Sequence, residues 1–355
     1  MNKIVVVTGS CGLVGMESCL FFSEKGYKIV GIDNDMRSYF FGEDASTSEN
    51  KKFLERTIQN YEHHDIDIRD MSGLLSVFKK YGSDIECIIH TAAQPSHDWA
   101  AKEPHTDFSV NALGTLNLLE LTKDYCRDAT FIFTSTNKVY GDRPNGIYDD
   151  CDFTIKELET RYEAYDSLSE NFYQVPESMS IDQCKHSVFG ASKVSADIMV
   201  QEYGRYHNMN TVCFRGGCLT GGGHQGAELH GFMSYLIKCM KSDQHYTIFG
   251  YKGKQVRDNI HSWDLVNAFW YYHQDPIPAA VYNMGGGREN SISMMEAIDM
   301  INDELDISWD NYTISGENRI GDHIWYISDL SKFKNDYPEW TITKSLRDIV
   351  KEMVS

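Results

Sequence analysis

Residues 3–15 read Lys3-Ile4-Val5-Val6-Val7-Thr8-Gly9-Ser10-Cys11-Gly12-Leu13-Val14-Gly15, and this run decides the fold. Lys3 to Val7 has the continuous apolar character of a strand buried on both faces. An amphipathic helix is expected over 14–25, stopped by Gly26, and a second strand over 28–32 ends on Asp33. The glycines between strand and helix fall in the order Gly-x-x-Gly-x-x-Gly. Gly9 permits the tight turn, Gly12 lets a ligand approach the backbone, and Gly15 lets helix and strand pack closely. The helix N-terminus then presents free N–H groups to a pyrophosphate. A carboxylate at Asp33 suits ribose hydroxyls and disfavours a 2′-phosphate. The expected cofactor is therefore NAD rather than NADP, a preference that Arg37 weakens slightly.

Working outward, the pattern repeats. Asp65-Ile66-Asp67-Ile68-Arg69-Asp70 follows another strand, and a further strand, 85–90, leads into Thr91-Ala92-Ala93-Gln94. Residues 111–120 have helical periodicity, and 130–135 read as the next strand. Strands alternating with helices imply right-handed crossovers and a Rossmann-type, doubly wound parallel α/β sheet. Ligands bind such sheets at the carboxyl ends of the strands, here near Thr8, Ala92 and Thr136.

The chain has 355 residues, a formal net charge of −19, 41% hydrophobic and 24% charged residues. That charge argues against nucleic acid and anionic membranes as partners. No stretch reaches transmembrane length and no signal-peptide pattern opens the chain, so a cytoplasmic protein is expected. Nine cysteines lie scattered without a Cys-x-x-Cys pair or zinc spacing, so neither a metal site nor a disulfide framework is expected.

Thr8 to Gly15, Asp67 to Asp70, His90 to Ala93, the Asn111 helix and Ser135 to Gly141 together resemble the extended short-chain dehydrogenase/reductases, which act on nucleotide sugars. The resemblance covers nearly the whole chain. It implies a Rossmann domain over 1–214, with an insertion near 145–185, and a smaller substrate-binding domain mainly over 215–355, interwoven with the first. The cofactor-binding residues it implies are Gly9, Cys11, Gly12, Leu13 and Val14 at the turn, then Asp33, Asn34 and Arg37. Asp67 and Ile68 would border the adenine, Ala92, Ala93 and Gln94 would line the cofactor backed by Asn111, and Thr134 and Lys193 would complete the set. Arg257 and Arg319 would clamp the substrate diphosphate, as planar guanidinium forks do well. Asn137, Lys138 and Cys218 would also touch substrate. The helices near 99–123 and 191–207 would pair between the subunits of a homodimer.

Within this family, Thr136 orients the sugar hydroxyl being oxidised. Dehydratases follow it with Asp-Glu, the acid and base that an elimination needs. Here Asn137-Lys138 follows. The run Thr136 to Asp142 resembles instead the epimerases, nearest the branch that inverts C2 of a CDP-hexose. A C4 epimerase and a ketoreductase of another nucleotide sugar are the alternatives.

The family's Tyr-x-x-x-Lys is changed. Lys193 is present, but Phe189 stands four residues before it and cannot move a proton. Three readings follow: the proton is handled elsewhere, with Lys138 and Tyr162 the first candidates and His186 and Cys218 behind them; the protein binds NAD and a nucleotide sugar without turnover; or the phenylalanine was introduced to trap a complex.

Overall fold

A computed structural model describes residues 3–222, 231–317 and 321–355. The opening run forms strand β1 (Ile4–Thr8), helix α1 (Leu13–Glu24) and strand β2 (Lys28–Ile32), within a residue or two of the expected bounds. Strands β3 (Tyr61–His64), β4 (Ile85–His90) and β5 (Thr130–Thr136) follow. They join Asn210–Gly216 and Ala280–Met284 in one seven-stranded sheet. Its order, from one edge, is β3, β2, β1, β4, β5, Asn210–Gly216, Ala280–Met284. The pairs from β3 through β5 are parallel. The order reverses direction between β1 and β4, which opens a crevice at the carboxyl ends of those two strands.

The chain folds as two compact units, each assembled from three segments. The first comprises Met1–Thr136, Val188–Arg215 and Leu265–Tyr282; the second comprises Asn137–Ser187, Gly216–Asp264 and Asn283–Ser355. The first unit's core joins Val6, Val30 and Ile88 of the sheet with Phe78, Leu118 and Val200 of the surrounding helices. Val5, Val6 and Val7 are wholly buried, as a strand covered on both faces requires. One departure from regular helix matters later. Ser109–Leu113 is a π-helical turn, continued by the α-helix Gly114–Tyr125. Asn111 therefore sits in a π-bulge, a distortion that recurs at functional sites.

The second unit has its own core of Leu236, Ile298, Ile301 and Ile349. Strand Val256–His261 is its centre, pairing with Ser291–Ser293, Trp325–Tyr326 and Cys218–Thr220. A β-hairpin, Phe153–Glu157 with Tyr162–Asp166, occupies the region read as an insertion. Trp325 is fully buried among Phe153, Phe172 and Tyr173. All nine cysteines are free thiols. Among the described residues no helix is long and apolar enough to cross a membrane, and no cluster of His, Cys, Asp and Glu forms a metal-binding group.

Candidate active site

The first unit builds a dinucleotide cradle at the β1 turn. Gly9 adopts φ +69°, and a side chain there would meet Ala92 N at 2.7 Å. A Cβ on Gly15 would sit 2.0 Å from Gly9 O, so that glycine exists for packing. Gly12 differs. Its φ of −75° suits any residue, and a Cβ there would meet only Gly9 O, at 3.4 Å. The space before Gly12 is open, as the approach of a pyrophosphate would require. Gly12 caps α1 with no side-chain hydrogen bond, and the first turn carries no acid. The helix dipole and the first-turn N–H groups of Leu13 and Val14 are thus left for an anion. These residues fit NAD.

Asp33 closes the cradle. Its Oδ2 accepts from Cys11 N and its Oδ1 from Asp35 N, each at 2.9 Å. Burial raises its pKa, while those two bonds and the neighbouring acids pull in opposite directions. Asn34 Nδ2 donates to Asp67 Oδ2 at 3.3 Å, and Arg69 forks onto the same carboxylate. The two loops are therefore joined beside the crevice, with Ile68 buried below. Arg37 lies over the Phe41 ring, and burial draws its pKa down to about 10. Sequence reasoning missed Asn50, whose Nδ2 donates to Cys11 O at 2.8 Å and holds the turn from behind.

Across the crevice lies a buried polar network. Gln94 N donates to Asn111 Oδ1 at 2.9 Å. The Asn111 amide nitrogen is shared among Gln94 O, Asp107 Oδ1 and Ser192 Oγ at 3.0–3.1 Å. Gln94 Nε2 donates to Asp107 and to Ser96 O. The Gln94 side chain is fully buried, so it ties the loop after β4 to its neighbours, while Ala92 and Ala93 remain half-buried.

Strand alternation sorts the end of β5. Thr134 and Thr136 share one face and are half-buried, while Ser135 points into the core and donates to Asp197 at 2.5 Å. Lys193 Nζ donates to Thr134 O at 2.8 Å and lies 4.1 Å from the Phe133 ring centre. Burial pulls the Lys193 pKa down to about 8, with Asp197 opposing the shift. Phe189 begins the same helix, Val188–His207, and is buried. Its ring meets that of His97 edge-on, centroids 5.0 Å apart and planes at 67°. Sequence reasoning did not single out His97, which stands three residues beyond Gln94.

The second unit gathers Lys138, Cys218, Arg257 and Tyr162 with two residues that were not singled out, Asp322 and Tyr251. Lys138 Nζ donates to Gly321 O at 2.9 Å and lies 3.7 Å from Asp322 Oδ1. Arg257 makes a close ion pair with the same carboxylate. Burial raises the Asp322 pKa, but Arg257 and Lys138 outweigh it and hold the acid well below the ordinary carboxylate range. Burial pushes the Cys218 thiol up to about 11 despite Arg257 beside it. The Tyr251 phenol is raised by burial and by Asp322. The Tyr162 phenol is raised by burial and by Glu157, its cross-strand partner at 3.5 Å. Asn137 is buried. His186 is engaged through Nε2 with Val139 O at 2.7 Å. Arg319 lies outside the described residues.

The fold and cradle define a Rossmann-type NAD-binding class. Residues 5–285 match the family model described as the NAD dependent epimerase/dehydratase family, and the chain belongs to that family. It is 30% identical over 360 residues to the CDP-paratose 2-epimerase of Salmonella typhi, spanning 98% of this chain and 97% of that protein. It is 25% identical to the UDP-glucose 4-epimerase uge1 of Schizosaccharomyces pombe, over 81% of this chain and 76% of that one. Among solved structures, the fold matches the UDP-glucuronic acid 4-epimerase from Bacillus cereus, in complex with UDP-glucuronic acid and NAD, with a TM-score of 0.77. That match has 23% identity and covers 99% of this chain and 98% of that one. The UDP-glucose 4-epimerase of Thermotoga maritima matches with a TM-score of 0.76 at 22% identity, covering 99% and 97%. The family's cofactor, NAD, is the one read from Gly9 to Asp33.

Proposed function

We propose that this protein is a nucleotide-sugar epimerase that inverts C2 of a CDP-hexose and keeps its NAD through each cycle. The observation that carries the reading is Asn137-Lys138 at the end of β5, where an eliminating enzyme needs paired acids. Whole-length likeness to a CDP-paratose 2-epimerase supports the choice of sugar carbon and nucleotide.

NAD, held at the Gly9–Val14 turn and Asp33, would supply a reversible hydride acceptor for the sugar carbon. The chain's own residues do the rest. The α1 N-terminus and Gly12 receive the pyrophosphate, and Asp33 accepts from the adenosine ribose. Lys193, held by Thr134 O, positions the nicotinamide ribose, and Thr136 orients the sugar hydroxyl. In the second unit, Arg257 takes a diphosphate oxygen, with Lys138 and Cys218 beside it. On this reading the first unit is the NAD domain and the second the nucleotide-sugar domain. A cytoplasmic homodimer completes the proposal. Phe108, Leu113, Ile198 and Tyr206 support it, as large apolar side chains left exposed on Pro104–Phe108, Ser109–Leu113 and Val188–His207.

Phe189 favours one rival, a protein that binds both ligands without turnover. The purified protein is incubated with CDP-, UDP-, GDP- and dTDP-hexoses in D₂O without added NAD, and the sugars are followed by NMR. Inversion at C2 of a CDP-hexose, without deuterium at that carbon, is expected. Inversion at C4 would overturn the choice of carbon. Every sugar unchanged would favour the binding protein.

A further inference from the structure

We propose that His97 is the acid–base residue of this site, taking over the proton transfer that Phe189 cannot perform. The inference rests on the epimerase reading above. Phe189 stands four residues before Lys193 on one helix face, where the family carries a tyrosine. A phenol there would carry its hydroxyl one C–O bond beyond the ring edge. The His97 ring lies edge-on to Phe189, with its centre 5.0 Å away. The imidazole is thus in contact with the ring that stands where the family carries its proton donor.

The placement is enforced from both sides. His97 opens the short helix His97–Lys102 behind its cap, Ser96. Ser96 N donates to Gln94 Oε1 at 2.5 Å, and Gln94 Nε2 donates back to Ser96 O at 2.9 Å. Gln94 is bonded in turn to Asp107 and Asn111, and Asn111 reaches Ser192, the residue beside Lys193. One buried network therefore registers the His97 loop against the helix that carries Phe189 and Lys193. Such support keeps an acid–base group within the narrow geometry that proton transfer needs. Lys138 and Tyr162, the first candidates from the sequence, belong to the second unit. Lys138 is bonded to Gly321 O and paired with Asp322, and the Tyr162 phenol is raised by burial and Glu157.

The step balances. The sugar O–H breaks and its proton passes to a neutral His97 ring nitrogen. The C–H on the same carbon breaks with its electron pair leaving as hydride to NAD, and the C=O bond forms. On return, hydride reaches the other face of that carbon and His97 gives the proton back to the oxygen. Imidazole is suited to both directions near neutral pH.

The test uses the NAD-loaded protein and three variants: H97N, H97F and H97N/F189Y. H97F keeps a ring against Phe189 while removing both nitrogens, and it serves where H97N does not fold. Both single variants are expected to lose about 10²- to 10⁴-fold in kcat. Their NAD content and their affinity for the CDP-hexose, measured by calorimetry, should stay near wild type. F189Y recreates Tyr-x-x-x-Lys and should recover most of the rate lost in H97N. In histidine-labelled wild type, the imidazole resonance absent from the variant should move when the CDP-hexose is added. A kcat within about threefold of wild type, or a loss explained wholly by lost NAD or lost sugar affinity, overturns the assignment and leaves the epimerase reading intact. A wild-type protein that converts no nucleotide sugar overturns both.

Discussion

Alanine at Gly12 and alanine at Gly15 should have opposite consequences, one for the cofactor and one for the fold. At Gly15 the new Cβ would lie 2.0 Å from Gly9 O, 2.7 Å from Gly9 C and 2.9 Å from Ser10 Cα. All three are backbone atoms of the turn, so no side chain can rotate away. Overpacking of this kind costs about 1–3 kcal/mol or more, and a clash on rigid backbone belongs at the top of that range. At Gly12 the backbone angles suit alanine and the only neighbour is Gly9 O at 3.4 Å. The stability change there should stay within about 1 kcal/mol, and reduced freedom of the unfolded chain favours the variant. The methyl group instead occupies the approach of the pyrophosphate. Losing one or two charge-assisted hydrogen bonds, at about 1.5–3 kcal/mol each, weakens NAD binding by about 10- to 10⁴-fold. The assay has two arms. Thermal unfolding is measured on protein stripped of NAD, because bound ligand would mask the difference. Calorimetry on the same preparations then gives NAD affinity. G12A should melt like wild type and bind NAD poorly, whereas G15A should melt about 4 °C lower. G12A with wild-type affinity, or G15A with wild-type stability, would refute the division of labour among these glycines.

Three further outcomes test the electrostatics. Asp258 is fully buried, and burial raises its carboxyl to about 6 against bonds from Ser328 N and Gly287 N. A carboxyl raised on folding loses stability as pH climbs from about 4 to about 6, by about 3 kcal/mol in all. Asp258→Asn should remove that slope in urea midpoints taken across the window, and identical slopes would contradict the argument. Lys193 has the mirror-image behaviour. With its folded pKa near 8, its burial cost is fully present at neutral pH and is relieved as pH rises through about 8 toward 10.5. Lys193→Met should therefore gain up to about 3 kcal/mol at pH 7 while turnover falls; a less stable variant would show that its bond to Thr134 O matters more than the desolvation. Asp197 accepts from Arg215 Nη2 at 2.8 Å and Nε at 3.1 Å, and from Ser135. Asp197→Ala strands a buried guanidinium and should cost about 3–5 kcal/mol in chemical denaturation, with a loss under about 1 kcal/mol counting against it.

Much of the first unit is legible in the sequence alone. Strand, turn and helix over the first 33 residues follow from apolar runs, glycine spacing and a terminal acid, all within one short segment. In β5, Thr134 and Thr136 fall on one face by strand alternation, while the part given to Thr134 came from family resemblance alone. Asn111 was read as part of an amphipathic helix; it lies instead in the π-turn Ser109–Leu113, where its amide bonds Gln94, Asp107 and Ser192. Periodicity carries no signal for that distortion. Arg257 stood out as a cation in the second half of the chain, but its pairing with Asp322 did not, since the two lie 65 residues apart.

What the sequence determined by itself was the cofactor class. The freedom of Gly9, the bareness of Gly12 and the charge of Asp33 are properties of single residues in fixed local order, and local order is what a sequence records. Only the tertiary structure decided which groups face one another across long separations. His97 beside Phe189, Asn50 behind Cys11, and Lys138 with Arg257 on Asp322 are products of packing. Their energies depend on distance and burial, which no spacing along the chain specifies.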